Sequence, residues 1–204
     1  MTLARRPLLT VGHSTLDVKR FIDLLRQYDV TDVLDVRSQP YSRYVPHFNR
    51  EALSASLASS GIEYHFLGRE FGARSPDPDA YDDDGRVKCA AIRGTSAFEQ
   101  RLLEVVAAAD AGRQQALLCT EADPADCHRS VLVAHAFYES DLPVSHIRSD
   151  GRLEDHRELL ERISGPPDLF AAGDEERYAR GLTQRERAIA YIDPQLAASP
   201  DRML

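Results

Sequence analysis

The sequence predicts an α/β fold, a single domain with a mainly parallel central sheet flanked by helices. Two observations carry this reading. Short apolar runs alternate with segments of helical period through the first three quarters of the chain, as βαβ units require. The polar residues best suited to chemistry fall just after those runs, where open parallel sheets hold their ligands. The 204 residues are 43% hydrophobic and 28% charged, a balance that builds one core and does not match a disordered or fibrous chain.

Leu8-Leu9-Thr10-Val11 reads as the first strand and ends at Gly12-His13-Ser14. Phe21, Leu24, Leu25 and Tyr28 then recur at helical spacing, with Ser14 or Thr15 as the N-cap. Residues 30–37 form a second strand. Asn49 opens a helix through Leu53 and Leu57 that Gly61 stops. Residues 62–67 form the third strand. From Gly68 to Thr95 prolines, glycines and acids break the rhythm, which predicts a long functional or flexible loop of the lid type.

Residues 98–111 then read as a helix ended by Gly112, 115–119 as the fourth strand, 127–138 as the next helix, and 144–147 as a short fifth strand. Residues 153–163 form a charged amphipathic helix that Gly165-Pro166-Pro167 breaks, before a second helical stretch over 175–191. Residues 1–150 thus make the α/β core. Residues 151–204 form a helical extension, too short and polar for a core of its own, that packs on the domain or on a partner subunit of a homo-oligomer.

The net charge of −8 argues against a general affinity for phosphate backbones, though it permits a local cationic cleft for nucleic-acid ends. Much of the acidity is local, in Asp77, Asp79, Asp82, Asp83 and Asp84. Three cysteines without a regular framework point to a reducing, cytoplasmic setting. No segment approaches the roughly 20 apolar residues of a membrane span, and the first residues lack a secretory signal, so no membrane partner is expected.

The richest stretch is Leu117-Leu118-Cys119-Thr120-Glu121 running on to Cys127-His128-Arg129, where a strand gives way to a helix whose free N–H groups favour anions. Cys127 falls in the first helical turn with Asp123 or Asp126 as cap. It is either a reactive thiol or a partly buried structural one. His128 and His13 are the candidate proton carriers, whereas His135 reads as a hydrogen-bonded core residue. Ser14 is a cap first and a binding hydroxyl second. Asp35 lies in the apolar run Val33-Leu34-Asp35-Val36 and needs a cation, with Arg37 and Arg129 both available. Glu121 shares a strand face with Cys119, as Asp35 does with Arg37. Arg37, Tyr41 and Arg43 leave the second strand in a loop suited to a phosphate and a planar group. The Cys-x5-Arg cradle of phosphatases and rhodaneses is missing. Cys119, Cys127 and His128 offer soft ligands, but without C-x2-C or H-x3-5-H spacing no metal is expected and no cofactor is assigned.

Taken in order, Thr10-Val11-Gly12-His13-Ser14, Leu34-Asp35-Val36-Arg37 with Pro40 and Ser42-Arg43, Tyr64 to Gly68, and Leu118-Cys119-Thr120-Glu121 with Cys127-His128-Arg129 resemble the DUF488 family over about residues 8–150. The resemblance implies an α/β fold and a shared polar site, without an activity. Where relatives look like Leu-Gly-Gly, this chain has Leu67-Gly68-Arg69, so Arg69 is expected to alter the pocket. The function expected from these residues is a cysteine-dependent hydrolase or transferase acting on an anionic, nucleotide-like or phosphorylated small molecule. Arg37, Arg43 and Arg129 would hold the charge, Cys127 would attack or handle sulfur, and Asp35 or Glu121 would orient a base. The alternative is a non-catalytic module that binds nucleotides, nucleic-acid ends or a protein through the same pocket.

Overall fold

A computed structural model describes residues 5–166 and 173–197. Its centre is a six-stranded sheet in the order β3-β2-β4-β1-β5-β6, formed by β1 (Leu8–Gly12), β2 (Asp32–Asp35), β3 (Glu63–Phe66), β4 (Gln115–Cys119), β5 (Val144–Ile147) and β6 (Leu153–Asp155). The first five are parallel and β6 runs antiparallel on β5. Successive side chains of the inner strands face opposite ways, and the core divides accordingly. Leu8, Leu34 and Leu117 join one apolar cluster, while Leu9, Val33 and Ala116 join the other.

Helix α1 (Val18–Gln27) buries Phe21, Leu24 and Leu25 on the second face. Its cap is Asp17, which accepts from the Arg20 amide at 2.8 Å, and not Ser14 or Thr15. Ser14 is still in the turn, with φ of 44° and its amide bonded to the Thr120 carbonyl. Helix α2 (Arg50–Ala58) follows Asn49 and packs Leu53 and Leu57 on the same face.

The stretch after β3 is no loose lid. Phe71, Tyr81, Val87 and Ile92 are buried in the core, a 3-10 turn spans Pro78–Ala80, Tyr81 bridges Val87, and α3 covers Cys89–Arg93. Its anchors are too widely spaced to leave a period, which is why the sequence reads as a loop. Helix α4 (Ser96–Asp110) is capped by Thr95.

Between β4 and β5 the chain makes a 3-10 turn over Pro124–Asp126, a π-type segment over Arg129–Ala134 and α5 (His135–Glu139). Residues 153–155 are an edge strand where a helix start was expected, and α6 (His156–Ser164) begins only after Asp155, which makes a capping box with Glu158. Helix α7 (Asp174–Ile189) sets Leu182 against Leu160 and Val131, so the extension packs on the sheet's own helices. A short α8 (Pro194–Ala197) follows. Residues 167–172, with Pro167 of the expected break, and 198–204 of that extension lie outside the described residues. No helix among the described residues is long and apolar enough to cross a membrane.

From adjacent strands, the chain leaves β1 for β2 through α1 on one face and β4 for β5 through the 129–139 helical segment on the other. That is the switch point at which open parallel sheets form a crevice. Behind it runs a string of histidines. Thr10 Oγ1 meets His146 Nδ1 at 2.8 Å, His146 Nε2 meets His156 Nδ1 at 3.0 Å, and His156 Nε2 meets His135 Nδ1 at 3.2 Å.

Burial holds the His146 imidazole well below its ordinary range and brings His156 down to about 3, with charge on the neighbouring histidines acting the same way. These rings are neutral in the fold and titrate normally once unfolded. The unfolded chain therefore binds more protons below pH ~6.5, and stability should fall as pH drops, by up to about 1.4 kcal/mol per pH unit for each such ring. Urea midpoints between pH 7 and about 5 should show this decline, and His156→Gln should flatten it.

Candidate functional site

At the end of β2 a buried carboxylate fixes an arginine. Asp35 is fully buried and accepts from Arg37 Nε at 2.8 Å, Arg37 Nη2 at 2.6 Å, the Arg37 amide at 3.1 Å and the Tyr64 hydroxyl at 2.7 Å. Both oxygens are satisfied, as a buried carboxylate demands. Arg37 Nη2 also donates to the Phe48 carbonyl, and Nη1 meets His13 Nε2 at 3.2 Å. His13 stacks on Phe48 with ring centres 4.2 Å apart. Burial, helped by the Arg37 charge, pushes His13 down to about 4. Its neutral ring accepts from Arg37 at Nε2 and donates from Nδ1 to the Ser14 carbonyl. Here His13 positions Arg37.

At the end of β4 stands a group of sulfurs. Cys119 and Glu121 share a face, as strand alternation requires, and Cys127 returns to the same point after the 3-10 turn. Glu121 Oε2 accepts from Cys127 Sγ at 2.9 Å and from Cys119 Sγ at 3.3 Å. His128 Nδ1 lies 3.6 Å from Cys119 Sγ, while its Nε2 donates to the Val36 carbonyl at 3.0 Å. The expected placement of Cys127 within the first helical turn needs correction. Asp123 caps the 3-10 turn through the Ala125 amide, Asp126 caps nothing, and Cys127 is extended, its carbonyl accepting the first bonds of the following segment. Cys127 therefore closes the 3-10 turn as its C-cap, ahead of the helical segment.

Burial alone would raise both thiols. For Cys119 burial wins, joined by the neighbouring Cys127 sulfur. For Cys127 burial is overcome by the Cys119 hydrogen bond, the Arg129 guanidinium and His128, so this thiol is drawn down. Burial and the Cys127 sulfur raise the Glu121 carboxyl.

Arg129 is fully buried and does not reach the cavity. It donates from Nη1 to the Glu121 carbonyl at 2.7 Å, from Nη2 to the Ala122 carbonyl at 3.4 Å and from Nε to Thr10 Oγ1 at 3.4 Å. These bonds draw the Glu121 segment down on the end of β1. Only glycine fits beneath it, because a Cβ on Gly12 would overlap the Glu121 carbonyl oxygen.

A cavity of about 260 Å³ opens on these groups, lined among others by Arg37, Arg74, Cys119, Glu121, His128 and Tyr191. The fold therefore brings together Arg37, Glu121 and His128 from separate segments, with Asp35, His13 and Cys127 directly behind them. It does not bring Ser14, Tyr41 or Arg43 to the cavity wall. Tyr41 is exposed and bonded to Glu51, and Arg43 is exposed and bonded to the Tyr44 hydroxyl. Arg69 is also exposed and off this wall. The thiol at the wall is Cys119, for which the strand alternation with Glu121 was the available signal. Arg74 and Tyr191 had none. Arg74 bonds Gln39 Oε1 at 2.7 Å and stacks 4.5 Å above the Tyr191 ring, a meeting of segments more than a hundred residues apart.

A protein-family model, Domain of unknown function DUF488, matches residues 17–136. That is more than half of the chain, and the chain belongs to this family. No curated protein and no solved structure matches it. The match covers Arg37, Arg74, Cys119, Glu121 and His128, and leaves Gly12, His13 and Tyr191 outside.

Three substitutions test this framework. Asp35→Ala strands Arg37 in a buried setting and should cost about 3–5 kcal/mol, against about 1 kcal/mol for Tyr64→Phe, which removes one hydrogen bond. Gly12→Ala should cost about 2–3 kcal/mol. Chemical denaturation measures all three, and an Asp35→Ala protein as stable as Tyr64→Phe would contradict the buried ion pair.

Proposed function

We propose that this DUF488 protein is an enzyme, a hydrolase or transferase, acting on a small anionic substrate of the phosphorylated or nucleotide-like class. The observation that carries the reading is that two guanidinium groups from different loops, Arg37 and Arg74, share one cavity with Cys119, Glu121 and His128. Arg37 is prepared for an anion. A guanidinium carries five N–H donors. Its Nε, both hydrogens of Nη2 and one of Nη1 are taken by Asp35, the Phe48 carbonyl and His13. One Nη1 hydrogen is left for a guest. Because the side chain is already immobilised, binding costs little further entropy. Arg74 bonds Gln39 through Nη1, and its Nη2 can complete a two-point grip on phosphate or carboxylate.

The reacting end is the wall of Cys119, Glu121 and His128. Sulfur from the end of β4 faces the cavity, with Cys127 behind it, and the Glu121 carboxyl stands at the opening where it can carry a proton. A cytoplasmic, reducing setting belongs to the same proposal, as three cysteines that remain free would suit it.

Thermal-shift titration checks the anion site. Inorganic phosphate and nucleoside monophosphates should stabilise the wild-type protein saturably and less at high salt. Arg74→Ala should weaken that binding about tenfold, a loss of about 1.4 kcal/mol, with the ligand-free transition little moved. No saturable stabilisation by any phosphorylated small molecule, or equal affinity in Arg74→Ala, would overturn the reading.

A further inference from the structure

The fold assembles four donor atoms that the linear spacing keeps hidden. We infer that Cys119, Cys127 and His128, with Glu121 beside them, hold a zinc-class divalent cation. The inference goes beyond the anion-binding reading and does not depend on it.

The ligating atoms of Cys119, Cys127 and His128 lie within 4.8 Å of one another. On one tetrahedral zinc, with bonds of about 2.3 Å to sulfur and about 2.0–2.1 Å to nitrogen, two donors stand about 3.5–3.8 Å apart. The Cys119 Sγ to His128 Nδ1 separation of 3.6 Å meets that distance. Glu121 Oε2 at 3.3 Å from Cys119 Sγ is close to it, and at 2.9 Å from Cys127 Sγ it is nearer than two ligands sit. Ion entry would widen that last pair by about half an ångström, or turn the carboxylate toward the cavity and leave the fourth position to water or substrate.

The imidazole is already set for a metal. His128 Nε2 donates to the Val36 carbonyl at 3.0 Å, so a proton stays on that nitrogen, and Nδ1, which faces Cys119 Sγ, is the nitrogen a metal would take, displacing any proton shared with the sulfurs. The bond to Val36 is the outer-shell bond that orients ligating histidines. The supports are rigid as well, since Cys119 ends a central strand and Cys127 and His128 open a helical segment.

Charge agrees. Two thiolates and a carboxylate carry three negative charges, and a divalent ion leaves one. Arg129, buried and paired only with carbonyl and hydroxyl oxygens among the described residues, supplies the balancing positive charge behind Glu121 and Cys127. Two sulfurs and an imidazole in tetrahedral array select zinc over magnesium or calcium. The other candidate group, Asp32 with Glu63 and His65, lacks this character, because Arg113 already bridges its two carboxylates.

The test is elemental analysis of the purified full chain, followed by cobalt(II) loading of chelator-stripped protein. We expect about one equivalent of zinc per chain. Cobalt should give thiolate charge-transfer bands with intense tetrahedral ligand-field absorption. Cys119→Ser and Cys127→Ser should each lower zinc retention to background and weaken the thiolate bands, and Arg74→Ala should retain both. The wild-type cobalt spectrum decides the matter if either serine variant fails to fold. A folded wild-type chain that retains no zinc and shows no thiolate–cobalt bands overturns the metal site, even where phosphate still binds. Zinc retained without phosphate stabilisation would overturn only the anion reading.

Discussion

A guanidinium that, among the described residues, has neither solvent nor a carboxylate partner governs the carboxyl end of this sheet. Arg129 is too costly to bury unless its donors are met and its charge is answered. Its donors go to the Glu121 and Ala122 carbonyls and to Thr10, which pins the chain leaving β4 onto β1. Its charge is answered by sulfur, since it draws the Cys127 thiol toward the anionic form against the cost of burial. The contacts that close the fold here are thus the ones that set the electrostatics of the site.

The same cation acts in the opposite direction on the far side of β1. Burial keeps the His146 ring neutral, the neighbouring His156 adds to that, and Arg129 adds further. Thr10 links the two, because its Oγ1 meets both Arg129 Nε and His146 Nδ1. One charge therefore favours an anion at the crevice and forbids a second cation behind it. The close approach of Gly12 to Glu121 holds these parts in register, because displacing that carbonyl would release the guanidinium from its anchor.

What the sequence disclosed followed from period and position. The limits of β4 and β5 were legible because apolar runs between turn residues have few other solutions, and Asp35 was recognised as a carboxylate in need of a cation. That cation proved to be Arg37, whereas Arg129 serves carbonyls. Other features left weaker traces. A three-residue edge strand such as β6 has too few positions to show alternation, so residues 153–155 merged with the helix that the Asp155 and Glu158 capping box starts. The buried anchors Phe71, Tyr81 and Val87 are spread through a polar segment, so their burial is decided by tertiary packing and not by any local period. Linear ligand spacings likewise could not reveal that Cys119 and Cys127 converge, since the convergence is made by a 3-10 turn and by Arg129 folding back on the Glu121 carbonyl.

The cavity is assembled from two kinds of parts. Arg37, Arg74, Cys119, Glu121 and His128 lie inside the stretch that matches the family, and most are tied to the sheet by buried hydrogen bonds. Tyr191 comes from beyond it and meets Arg74 only by stacking. A stacked cation is held by about 0.5–1 kcal/mol at an exposed site, far less than a buried ion pair such as Asp35 with Arg37. The wall of Cys119, Glu121 and His128 is consequently fixed by the fold, whereas the reach of Arg74 into the cavity is set by its bond to Gln39 and by one ring on the C-terminal extension. If the cavity takes an anion as proposed, a change at Tyr191 alters which anion it accepts without disturbing the sheet. On that reading the reacting wall and the selectivity of the cavity rest on separable parts of the chain.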